Sequence, residues 1–168
     1  MHRAPTLRRA ARSDIPAIIE LAGKVWRAHY PDIIGQEQIE YMLERGYALD
    51  ALAKFVDGQQ SGIDLALKDD ALIGFCAWML VEGGRDCKVD KLYVDVEHQR
   101  GGVGGTLLGA AVSHARELGA QSLVLNVNKN NHRAIAAYRK HGFTVRESVV
   151  IDIGGGFVMD DYVMQRTV

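Results

Sequence analysis

The chain has 168 residues, 48% of them hydrophobic, and 20 Lys and Arg stand against 21 Asp and Glu. That length suits one well-cored domain over residues 1–168 and is short for two, and the formal charge of −1 leaves no basic surplus for a nucleic-acid backbone. The basic start has no apolar run behind it, no segment nears the roughly 20 apolar residues of a membrane span, Cys76 and Cys87 make no disulfide framework, and the six histidines form no ligand-spaced cluster with Cys, so a cytoplasmic protein with no metal and no membrane partner is expected.

In chain order, residues 6–10 read as a first strand. Ser13 reads as the cap of a helix in which Ile15, Ile18, Ala22, Val25, Trp26 and His29 recur at three- and four-residue steps. Tyr30-Pro31-Asp32 breaks that helix. A second helix carries Ile39, Met42 and Leu43 on one side, and a third over 49–56 ends at Gly58. Residues 63–68 and 71–81 read as a hairpin around Asp69-Asp70. Strand 88–95 follows, with Asp90, Leu92 and Val94 on one face and Val89, Lys91 and Tyr93 on the other.

The segment 98–108 then reads HQRGGVGGTLL and opens a helix to about residue 118. Val103, Leu107, Ala111, Ala115 and Leu118 form its apolar stripe, and Gly119 is placed to end it. Strand 122–127 completes a strand–helix–strand crossover, which implies parallel pairing. A short helix over 131–140 stops at Gly142. Two closing strands, 144–153 and 157–165, flank Gly154-Gly155-Gly156, a hairpin turn needing positive φ. No repeat or linker interrupts the pattern.

Gly101, Gly102, Gly104 and Gly105 expose backbone N–H groups at the positive end of a helix dipole, which together form a cradle for a phosphate-bearing ligand. Thr106 and Leu107 stand where a Walker A loop needs Lys and Ser or Thr. Leu107 also stands where a dinucleotide fingerprint needs its third glycine. Gln99, Gly102 and Gly104 do fit Gln/Arg-x-x-Gly-x-Gly/Ala. That signature, the preceding KLYVD (91–95), and a later block of Asn131, Ala134, Tyr138 and Gly142-Phe143 match NxxAxxxYxxxGF, and the chain resembles the GCN5-related N-acetyltransferases nearly throughout.

The resemblance implies an α/β (mixed α+β) acyl-CoA N-acyltransferase fold: a mixed sheet of six or seven strands flanked by helices, binding acetyl-coenzyme A where strands four and five splay. It implies that the backbone of Leu92, Tyr93 and Val94 holds the pantetheine arm and polarises the thioester. Gln99, Arg100, Gly101, Gly102, Val103, Gly104, Gly105 and Thr106 would form the pyrophosphate loop. Asn131 and Arg133 are further coenzyme contacts, and Tyr138 is both a contact and the acid that protonates the leaving thiolate. Dimers are common in the resembled family.

A primary amine of pKa about 10.4 is neutral about once in 2,500 molecules at pH 7, a penalty near 4.6 kcal/mol, so a base or a dry site has work to do. Asp90 is the carboxylate nearest the expected cleft and is read as that base; Glu82 is second. Asp160 and Asp161 either face the acceptor or blunt a sheet edge. No Cys lies in the motif blocks, which favours direct transfer in a ternary complex. The acceptor class is a primary amine of a small molecule or a peptide, and 30–42 looks similar to the same region of polyamine acetyltransferases. The alternative from another class is a regulatory module that binds acetyl-coenzyme A without turnover.

Overall fold

A computed structural model describes residues 3–168. Strand β1 (Thr6–Arg9) leads through a single 3-10 turn into helix α1 (Ile15–His29), followed by α2 (Gln36–Gly46) and α3 (Leu49–Asp57). Strands β2 (Ser61–Lys68), β3 (Ala71–Leu80) and β4 (Asp86–Val94) form an antiparallel meander, and α4 (Val103–Glu117) carries the chain to β5 (Ser122–Asn128). Helix α5 (His132–Lys140) and the hairpin β6 (Thr144–Gly154) and β7 (Phe157–Thr167) complete the described residues. The seven strands make one sheet in the order β1-β2-β3-β4-β5-β7-β6. This is the mixed α/β architecture expected.

The one parallel pair is β4 with β5, and it is short. Asp86 to Val89 lie opposite Ser122 to Leu125, and beyond them the two strands separate. Every other neighbour is antiparallel. The separation opens the sheet at its centre, so both of its faces border one cleft. On one face α4 and α5 bury Leu107, Ala111, Leu123 and Phe143; on the other α1 to α3 bury Ile18, Trp26, Leu52 and Phe75.

Three local readings are corrected. Ser13 does not cap α1: the chain enters through the turn Arg12–Asp14, where the Asp14 carboxylate accepts from the Ala11 N–H at 2.7 Å. Gly58 ends α3 in an extended conformation, φ −69° and ψ 149°, and so needs no glycine freedom. In β4, Ala77 faces Lys91 while Trp78 faces Val89, leaving Asp90 as the extra residue of a bulge. Strict alternation fails there. Val89 joins Leu92 and Val94 in the α4-side core, while Tyr93 packs with the α1–α3 core.

Candidate functional site

Two cavities of about 320 Å³ each occupy the cleft, one on either side of the splayed end of β4. The first is walled by the end of β4, the loop from His98, the first turn of α4 and one side of α5. Gly102 caps α4 at φ 79°, a left-handed backbone that turns the chain sharply enough to aim the first helical N–H groups at the cavity. Val103, Gly104 and Gly105 have no acceptor within the helix at this end. A methyl group added at Gly102 would meet nothing within 4 Å, and one at Gly104 only Val94 at 3.9 Å. The glycines therefore leave open room above a row of donors. That room and those donors fit a pyrophosphate.

Beside the cradle, the edge of β4 facing the cleft has no strand partner past Val89. Such an edge can take an extended amide-bearing arm as an added strand. Gln99 closes the corner by donating from Nε2 to the Val94 carbonyl at 3.1 Å, so its side chain braces the loop. Asn131 is buried and caps α5, its Oδ1 accepting from the Ala134 N–H at 3.3 Å. Arg100 and Arg133, both exposed, stand on the cavity wall. Thr106 donates from Oγ1 to the Gly102 carbonyl at 3.0 Å, holding the turn.

The second cavity lies toward α1 and α2. Trp26, Tyr30, Tyr47 and Tyr93 supply aromatic walls, and Trp26 stacks on Tyr30 with ring centroids 4.2 Å apart. Beside it, α2 is tied to the β6–β7 hairpin. Tyr41 donates from Oη to the Ile153 carbonyl at 2.9 Å, and Gln38 from Nε2 to the Val158 carbonyl at 2.9 Å. All three hairpin glycines have positive φ, and a methyl at Gly155 would sit 2.7 Å from the Tyr41 ring. The two cavities share Tyr30, Leu92, Tyr93, Asn131 and Tyr138, so they adjoin across these side chains.

Tyr138 is thus at the junction, its ring 5.8 Å from that of Phe143. Burial pushes its phenol well above the ordinary tyrosine range, with the Tyr30 phenol and the Cys76 thiol adding, so it holds its proton near neutrality. Asp90 is on the wall of the second cavity, where Lys91 Nζ lies 2.6 Å from its Oδ2 and Lys88 Nζ 3.9 Å from its Oδ1. Glu82 is not among the residues lining either cavity. Burial raises the Cys87 thiol to about 11 and raises the Cys76 thiol as well, so neither is a thiolate nucleophile at neutral pH.

Asp160 and Asp161 are split by the pleat of β7. Asp160 turns outward to Lys129, with Nζ at 2.6 Å, whereas Asp161 turns into the second cavity at 5% exposure. Its Oδ1 is buried without a hydrogen-bond partner. Burial raises its pKa, Asp160 adds to the rise, and Lys88, Asn126 and Lys129 oppose it. His141, which the sequence did not single out, packs on the cradle helix: a methyl at Gly105 would lie 2.8 Å from its Cε1. Among the described residues no three His, Cys, Asp or Glu side chains gather to hold a metal, and no helix is long and apolar enough to cross a membrane.

A family model described as Acetyltransferase (GNAT) family matches residues 17–143. An N-acetyltransferase of Mycobacterium tuberculosis is 25% identical over 155 residues, covering 92% of this chain and 97% of that protein. A mycothiol acetyltransferase of Propionibacterium freudenreichii is 39% identical over 95 residues, but these cover 54% of this chain and 29% of that one. The solved structure of a PaiA N-acetyltransferase from Thermoplasma acidophilum, in complex with coenzyme A, superposes with a TM-score of 0.83 at 24% identity, over 99% of this chain and all of that one.

Proposed function

Since the chain belongs to the GNAT family of acetyltransferases, we propose that it moves the acetyl group of acetyl-coenzyme A directly to the primary amine of a small molecule, inside a ternary complex. The observation that carries this reading is that Tyr30, Leu92, Tyr93, Asn131 and Tyr138 line both cavities, so the two adjoin. A phosphate-bearing substrate on one side and an amine on the other would meet there without either leaving its site.

The roles follow from position. The N–H groups of the 99–106 loop receive the pyrophosphate, with Arg100 and Arg133 adding positive charge at the rim. The free edge of β4 at Leu92, Tyr93 and Val94 holds the pantetheine arm, and an N–H there polarises the thioester carbonyl. Tyr138, protonated and at the junction, gives its proton to the departing thiolate. Asp90 contributes negative potential beside the amine, tempered by Lys91. The two protonated, buried thiols support direct transfer over a covalent relay, and they suit a reducing, cytoplasmic setting.

Thiol release from acetyl-coenzyme A across a panel of primary amines tests the reading. Velocity patterns that intersect when both substrates are varied are expected for a ternary complex. Tight coenzyme binding with no thiol release would instead mark a non-catalytic sensor.

A further inference from the structure

We propose that Asp161 is the carboxylate that receives the acceptor as an ammonium and takes its proton; this rests on the acetyl-transfer reading above. The second cavity has two carboxylates and two ammonium groups within its walls. Asp90 is already matched by Lys91 at 2.6 Å, with Lys88 beyond at 3.9 Å. Asp161 alone keeps a buried oxygen with no partner. A buried polar atom left unpaired is costly, and it is tolerated where a ligand completes it. Trp26, Tyr30 and Tyr47 on the same walls give an apolar surface for the carbon chain behind the ammonium.

Register places Asp161 opposite Asn128 on β5. The groups that face it are Asn126 and Lys129 from β5 and its end, Lys88 from β4, Asp160 from its own strand, and the Tyr30 phenol, which the Asp161 charge pushes upward.

The step balances. Asp161 takes one proton from the ammonium, and the freed nitrogen lone pair bonds to the thioester carbon. As the C–S bond breaks, its electron pair goes to sulfur, which takes the Tyr138 proton. The second nitrogen proton restores the Tyr138 phenol, and Asp161 releases its own to solvent.

Wild type, Asp161→Asn and Asp161→Glu are compared for thiol release with hexylamine, 2-phenylethylamine and 1,6-diaminohexane, alongside coenzyme A binding and thermal melting. Asp161→Asn is expected to lose about a hundredfold or more in kcat/KM and to lose the acid-side limb of its pH profile, while binding coenzyme A like wild type. Its melting temperature should hold or rise, because a buried unpaired charge has been removed. Asp161→Glu should restore part of the activity. Asp161→Asn within threefold of an active wild type, with the acid limb unmoved, would overturn the Asp161 assignment alone. A wild type that binds coenzyme A yet releases no thiol with any amine overturns the acetyl-transfer reading itself.

Discussion

Tyr138 and Gly102 set the chemistry and the cradle by different means. A phenol raised by burial is a poor base but a dependable proton store, so its value lies in position beside the thiolate. Tyr138→Phe is expected to lower kcat by about a hundredfold to ten-thousandfold with coenzyme affinity unchanged, read from thiol release and from a binding titration. An equal loss of affinity would make the residue a packing element. At Gly102 the φ of 79° would force a side chain into the left-handed region, which costs about 1–2 kcal/mol. Gly102→Ala should therefore melt several degrees lower and bind coenzyme A more weakly. The first effect without the second would separate the turn from the cradle.

Among the elements, the cradle was the most legible in sequence. Its glycines, the strand before it and the apolar stripe after it are all local signals. Asp161 was not, because two adjacent acidic residues look alike until the strand's pleat and register decide which one turns inward. The bulge at Asp90 was also hidden: no glycine marks it, and only pairing with β3 exposes the extra residue. The same holds for His141, which lies against Gly105 across 36 positions of sequence that no local pattern links. The α2–hairpin contact gives a test at this scale. Tyr41→Phe removes the bond to the Ile153 carbonyl and should raise the KM for the amine severalfold with the KM for acetyl-coenzyme A unmoved. A change in the coenzyme KM instead would mean that the two cavities are mechanically coupled.

For the whole molecule, acid stability divides the carboxylates by sign. The hydrogen bonds from Arg8, followed by that from the Ala11 N–H, hold Asp14 below its ordinary range. Such a group stabilises the fold above its unfolded pKa of about 3.9, and that contribution is lost as pH falls through the folded value. Asp161 runs the other way: raised by burial, its charge disfavours the fold at neutral pH, and protonation relieves this as pH falls. Melting curves against pH should show Asp161→Asn lifting the neutral plateau while the loss below about pH 4 persists. A lowered plateau would sink the claim that the charge is unpaired. The sheet's central opening resists sequence reading for a similar reason. It depends on where β4 and β5 stop pairing, and side chains on both strands remain strand-like past that point.

The closure of α2 on the β6–β7 hairpin also has a consequence in time. Its hydrogen bonds join residues 112 and 120 positions apart, whereas the cradle is complete within one loop and one helix. Contacts between distant positions must overcome more loop-closure entropy before they form. A newly made chain should hold coenzyme before it can choose an amine.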